Sequence, residues 1–470
     1  MSERTIHFVS LGCPKNRVDT EVMLGVSGLE GFRLVSDADA ADVIVVNTCG
    51  FIGPAKEESI DTIFQMSQRK ESGSCKTLVV AGCLSQRYPE QLAAEMPEVD
   101  HFLGSSDMLK LGDVLRAPAS TPRMLVGNPA EHMLRATDPR LPSQGAHSVY
   151  VKIAEGCNRT CSFCAIPSFR GKQRSRPIDD IVAECERLIA GGASELNLIS
   201  QDTISFGRDV KDGSDLTKLV QRVADLPGAR WVRLFYLYPE TIKPGLVELL
   251  AHHPKVLPYV DMPLQHASDP MLKRMRRGHG IDRQRRVVDR LRTDIPGLVF
   301  RTAFIVGHPG ETDADFDALV DFVKWAEFDR VGVFRFSPEE DTPSGQMDDV
   351  VPAKVANARA RKLVAAQRPI SRRKTKALVG QEVDVLVEGV SDESDLLLRG
   401  RWWGQAPEID GEVHLANGTA RPGEIRKALV TAAADHDLVA DLADEAGVLP
   451  EPPPDAKRPR KPKVALRTFA

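Results

Sequence analysis

Three cysteines, Cys157, Cys161 and Cys164, stand in the run Glu155-Gly156-Cys157-Asn158-Arg159-Thr160-Cys161-Ser162-Phe163-Cys164, spaced Cys-x3-Cys-x2-Cys. Three thiolates on one short loop hold three irons of a 4Fe-4S cube, and no fourth cysteine follows to close it. One iron is thereby left open for a further ligand. Zinc also favours thiolates, but structural zinc takes four closed ligands, usually from two pairs, and neither a partner pair nor a nearby histidine is present.

A second set lies in the first hundred residues, where one pattern recurs three times: an apolar run, a small or polar residue, a cysteine, then a helical segment. Ile6 to Leu11 leads through Gly12 to Cys13; Val43 to Val46 leads to Cys49; Leu78 to Ala81 leads through Gly82 to Cys83. The runs are short, continuous and rich in β-branched residues, as strands buried on both faces of a parallel sheet are. Helices are expected over 18–29, 56–69 and 86–95. With right-handed crossovers the strands run the same way, so the three thiols emerge together at the carboxyl edge of the sheet, where such folds bind ligands. The alternative is that each is a small buried residue closing a strand. Cys75, in a polar loop, and Cys185, inside a helical stretch, are assigned no role.

The elements that must carry these residues follow from the rest of the chain. At 470 residues the chain exceeds one hydrophobic core, and about three domains are expected. A net charge of -4 gives no global attraction to nucleic acid. The first residues are too briefly apolar for a signal sequence, and no run is long enough to span a membrane. A cytoplasmic setting is expected, in which thiols stay reduced and serve metals rather than disulfides. After a Pro- and Gly-bearing linker around 140–145, strands are expected at Val149 to Ile153, Glu195 to Ser200, Trp231 to Tyr236, Tyr259 to Met262, Phe300 to Val306 and Arg330 to Phe336, separated by amphipathic segments. That alternation suits a partial β/α barrel with its chemistry at the C-terminal mouth.

The Cys157, Cys161, Cys164 loop, with an aromatic residue before its last cysteine, resembles the radical S-adenosylmethionine (SAM) signature. The resemblance implies that the open iron binds SAM and that one electron cleaves it to a 5'-deoxyadenosyl radical. Gly191, Gly192 and Glu195 resemble the glycine-rich SAM-binding segment, and Thr302 to Gly307 the stretch that packs on adenine; the glycine pair also reads as a helix C-cap, and Thr302 as packing.

Two three-cysteine sites, an α/β domain before the barrel and a small β-rich module after it together resemble the methylthiotransferases, over residues 1 to about 440. The implied architecture is α/β and multidomain: an N-terminal flavodoxin-like parallel domain (1–140), a radical SAM partial barrel (143–375) and an all-β TRAM-like docking module (376–440). In that family Cys13, Cys49 and Cys83 would hold a second 4Fe-4S cluster that carries the sulfur. One SAM would supply the methyl group and another the radical.

The segments Leu11-Gly12-Cys13-Pro14-Lys15-Asn16, Ser200-Gln201-Asp202-Thr203 and Pro263-Leu264-Gln265-His266-Ala267-Ser268 are similar to the branch that modifies an aspartate of ribosomal protein uS12, free or in the small subunit. Enzymes acting on a tRNA adenosine, the alternative, tend to read Gly-Cys-Gln-Met-Asn at the first segment. A flavodoxin- or ferredoxin-like electron donor is implied. Residues 381–440 carry twelve Asp/Glu against five Lys/Arg, which suits a basic protein better than phosphates, or is an ordinary solvated surface. Trp402-Trp403 is either a docking platform or barrel core. The Pro-rich, basic residues 441–470 read as a disordered tail, a solvated run or a contact to ribosomal RNA. A reading of another class is a non-catalytic iron-sulfur protein that binds RNA or ribosomes.

Overall fold

The computed structural model describes residues 4–143, 145–239 and 242–443, which divide into two compact units. The first holds two parallel sheets. In the N-terminal sheet the strands Thr5–Ser10, Val43–Thr48 and Thr77–Gly82 lie side by side, flanked by Arg33–Leu34 on one edge and by His101–Leu103 and Met124–Leu125 on the other. All pairings are parallel. The second chain segment sits outside the first, so the order is that of a flavodoxin-like sheet extended by one strand. Val43–Thr48 and Thr77–Gly82 are buried throughout, as their unbroken apolar runs predict. Three short strands carried no comparable run and were not legible in the sequence.

The helices begin earlier than their apolar periodicity predicts, because caps and prolines set their starts. Cys13 is the N-cap of Pro14–Leu29, with proline at the first turn, where its missing N–H costs nothing. The segment expected as one helix over 86–95 is two, Cys83–Arg87 and Pro89–Glu95, with Tyr88 non-helical between them. Pro89 cannot donate to the preceding turn and breaks the run.

The second sheet runs Ser148–Lys152, Glu195–Ile199, Trp231–Leu234, Val256–Asp261, Val299–Val306 and Arg330–Arg335 in chain order, an open arc rather than a closed barrel. Its crossover helices bury one stripe each. In Leu216–Ala224, Leu216, Leu219, Val220 and Val223 are buried at helical spacing, and Asp215 caps the start by accepting from the Lys218 amide, a contact worth about 1 kcal/mol. The supposed linker is tied down: the buried Arg140 guanidinium donates to Glu21, to Glu184 and to the Tyr150 carbonyl. Both sheets therefore belong to one unit.

The second unit contains a closed five-stranded barrel, Glu382–Ser391, Ser394–Trp402, Val413–Asn417, Ile425–Ala433 and Leu438–Leu442. Its last strand runs past residue 440, where the sequence suggested the module ends. Trp402 is buried core and Trp403 half-buried, their rings 4.7 Å apart. The proposed tail from residue 444 onward lies outside the described residues. Among the described residues no helix is long and apolar enough to cross a membrane.

Candidate metal centres

The parallel register of the N-terminal sheet aligns Ser10 with Asn47 and Thr48 with Gly82. Cys13, Cys49 and Cys83 therefore leave the sheet at one edge. Glycines let the three loops close on one another. A Cβ on Gly12 would stand 3.1 Å from the Cys49 sulfur, one on Gly50 2.8 Å from the Cys83 carbonyl oxygen, and one on Gly82 2.3 Å from Asn47 Oδ1. Gly82 also has φ +99°, a backbone region essentially closed to side-chain-bearing residues. The Gly82→Ala protein is expected to lose about 2–4 kcal/mol of stability and to bind less iron at this site after reconstitution; equal iron content and an unchanged urea midpoint would contradict that.

Cys49 and Cys83 are buried and Cys13 half-buried. Burial, reinforced by the neighbouring Cys83, pushes the Cys49 thiol up to about 12. Burial also raises Cys83, against the pull of the Arg170 guanidinium. Thiols so placed become thiolates when a metal supplies the positive charge. The donor set thus fits an iron-sulfur cluster, which the glycine-lined junction would cradle.

Cys157, Cys161 and Cys164 follow the first strand of the second sheet, at its C-terminal edge. Burial raises Cys157 to about 11 and Cys164 to about 12. The loop is pinned by Ser162, whose amide donates to the Met275 carbonyl and whose hydroxyl donates to the Arg274 carbonyl. Two donors already face the sulfurs: Arg277 Nη1 lies 3.2 Å from Cys161 Sγ, and the Arg159 amide 3.4 Å from Cys157 Sγ. Both guanidiniums stack on Tyr238, at 3.9 and 4.2 Å from its ring centre. Among the described residues no three His, Cys, Asp or Glu groups converge on a single ion. A four-iron cube instead takes each thiolate at a different corner.

The two sites adjoin. Cys83 packs against Ala165 and Phe169, next to the last cysteine of the other loop. Arg170, at the end of the helix Ile166–Arg170, donates to Cys83 Sγ through Nε (3.3 Å) and Nη2 (3.1 Å), and also to Asn16 Oδ1 and Asp19 Oδ2. Lys152 completes the network by pairing with Asp19 and Glu155. Burial would raise the Glu155 carboxyl, but Lys152 and Arg170 hold it at about 2.

The sequence-predicted SAM residues are placed differently. Gly191 and Gly192 close the helix Ile178–Ala190 in a Schellman turn, with the Ala193 amide on the Leu188 carbonyl and the Gly192 amide on that of Ile189. They precede the strand Glu195–Ile199, so they lie at the sheet edge opposite the cysteines, roughly 16 Å away along the strand. Glu195 is fully buried against Arg233 and Ser148 at that same edge. These three are corrected to structural roles. Thr302 lies within its strand, its hydroxyl spent on the Met262 carbonyl. Gly307 does reach the C-terminal edge, but a Cβ there would strike Ala356 at 2.5 Å, so close helix packing accounts for it.

At the mouth itself stand residues that received no individual site role from the sequence, Lys15, Gln201 and Asp202 among them although their segments carried the resemblance. Gln201 and Asp202 follow the second strand; Asp202 binds Arg159, and Gln201 Oε1 and Asp202 Oδ1 are buried acceptors without a partner. Tyr236 follows the third strand and Asp261 ends the fourth. Lys15, carried over from the N-terminal sheet, has its ammonium 3.4 Å from the Tyr236 ring centre. Burial draws its pKa down, opposed by the charges of Cys13, Asp261 and Glu155. The available signal was position: in such sheets the residues after each strand line the site.

Three family models match the chain: Uncharacterized protein family UPF0004 over residues 5–104, the Radical SAM superfamily over 151–323 and the TRAM domain over 379–442. A ribosomal protein uS12 methylthiotransferase RimO of Sorangium cellulosum is 65% identical over 451 residues, covering 95% of this chain and 92% of the relative. The protein of that name from Myxococcus xanthus is 49% identical, covering 94% and 92%. Among solved structures, the radical SAM methyltransferase TsrM from Kitasatospora setae, with cobalamin and a [4Fe-4S] cluster bound, aligns at TM-score 0.53 and 17% identity over 73% of this chain and 77% of that one. That likeness extends to the fold alone.

Proposed function

Because the chain belongs to the uS12 methylthiotransferase family of radical SAM enzymes, we propose that it transfers a methylthio group to the β-carbon of an aspartate in ribosomal protein uS12, with Cys157, Cys161 and Cys164 holding one 4Fe-4S cluster and Cys13, Cys49 and Cys83 the other. One observation carries the assignment of the six cysteines: Cys83 of the first triad packs on the helix that follows Cys164 of the second, so sulfur delivery and radical generation share a single chamber. Bound at these sites, the clusters supply the electron that cleaves SAM and carry the sulfur that is transferred.

The chain's own residues set the conditions. Arg277 and the Arg159 amide donate to the sulfurs of the SAM-cleaving site, and Arg170 donates to Cys83 of the other. The unpartnered acceptors on Gln201 and Asp202 complement the ammonium of SAM. Residues 1–140 form the sulfur-carrying domain, 143–375 the radical domain and 376–440 the docking module, whose exposed Asp392, Glu393 and Asp395 suit a basic protein. A low-potential flavodoxin- or ferredoxin-type donor delivers electrons, in the cytoplasm.

The deciding experiment is mass spectrometry of uS12 and bulk tRNA after incubation with anaerobically reconstituted protein, SAM, sulfide and a strong reductant. A methylthio increment on one uS12 aspartate is expected. The same increment on tRNA alone would overturn the acceptor.

A further inference from the structure

A buried cation with no anion in direct contact calls for one. Lys15 is 7% exposed, and among the described residues its ammonium forms no hydrogen bond or ion pair; it lies over the face of Tyr236, while Cys13, Asp261 and Glu155 act on it only from beyond ion-pair distance. Leaving an ammonium in such surroundings is costly unless an opposite charge joins it. Three nearby cations have carboxylate partners: Arg170 and Lys152 share Asp19 and Glu155, and Arg301 holds Asp261.

A second observation concerns Tyr236 itself. Its φ is +57°, which for a bulky aromatic is a strained conformation. Backbone bonds hold it there, its amide donating to Asp261 Oδ2 and its carbonyl accepting from the Thr203 amide. Those bonds keep the ring beneath Lys15, over the C-terminal edge of the radical SAM sheet.

We propose that Lys15 is the acceptor-specificity residue: its ammonium pairs with the side-chain carboxylate of the acceptor aspartate and so brings the adjacent β-carbon between the two cysteine sites. The inference rests on the uS12 reading above. It assigns a substrate contact to the N-terminal domain, and it predicts that an amide in place of the carboxylate is rejected because the ammonium would be left unpaired.

The test compares binding of purified uS12, and of uS12 with its methylthiolated aspartate changed to asparagine, to the reconstituted holoenzyme. The native protein is expected to bind the aspartate form at least about tenfold more tightly. Lys15→Gln and Lys15→Met should bring that ratio close to one, and Lys15→Arg should keep part of it. Removing an unpaired buried charge does not threaten folding, so the neutral variants are informative. A tenfold preference that survives in Lys15→Gln overturns the proposal. So does a weakened affinity of Lys15→Gln for SAM with the preference intact, which would assign the ammonium to the carboxylate of SAM. Methylthiolation of tRNA with no binding of either uS12 form would overturn the parent reading and this inference together, whereas binding of both forms equally by the native protein overturns the inference alone.

Discussion

Alanine at any one of Cys157, Cys161 or Cys164 is expected to abolish formation of 5'-deoxyadenosine, whereas alanine at Cys13, Cys49 or Cys83 should leave SAM cleavage measurable and abolish methylthio transfer. The contrast follows from the placement of the two triads. The first lies on a loop of the radical SAM sheet, fixed through Ser162 to the backbone of Arg274 and Met275; the second is built from three loops of a different sheet. Each triad lacks a fourth protein thiolate, so removing one ligand leaves two of four corners held. Chromatography of the nucleoside product together with mass spectrometry of uS12 reads both activities in one reaction. Persistent 5'-deoxyadenosine from Cys157→Ala, or methylthiolated uS12 from Cys83→Ala, would refute the division of labour.

The second large effect is expected at Arg170. Its guanidinium is buried and satisfies Cys83, Asn16 and Asp19, with Glu155 3.5 Å away. Arg170→Met leaves Asp19 and Glu155 to share Lys152 alone. Breaking a buried pair from one side costs about 3–5 kcal/mol because the remaining charge stays desolvated. Denaturation of the apoprotein in urea should show a loss of that order, and Arg170→Lys a smaller one. Adding Asp19→Asn to Arg170→Met restores the charge balance and should recover part of the loss, giving a coupling energy well outside additivity. A loss below about 1 kcal/mol for Arg170→Met would show that the network does not hold the two sites together.

The cysteine positions were legible because a strand-then-cysteine repeat, in a fold with right-handed crossovers, dictates where the thiols emerge. The radical SAM strands were legible from their apolar runs for the same reason. Side chains that reach between sheets were not. Arg170 contacts a cysteine 87 positions earlier, and Lys15 meets Tyr236 from another sheet; no local pattern encodes either meeting. The misplacement of Gly191, Gly192 and Glu195 has a different origin. A glycine pair before a strand serves helix termination as readily as ligand approach, and only the direction of the strand tells which end of the sheet it occupies. Trp402 and Trp403, adjacent in sequence, differ because the strand ends at Trp402, which is buried, while Trp403 begins the following turn and is half-buried.

The distance along the chain between Cys83 and Arg170 also has a meaning in time. The N-terminal sheet leaves the ribosome first, with its three thiols gathered at an edge that nothing yet covers. At about 5–20 residues per second, roughly 4–17 s pass before Arg170 is made. During biosynthesis the nascent thiols are therefore open to oxidants and to iron delivery alike, and the arrival of the Ile166–Arg170 helix closes that window.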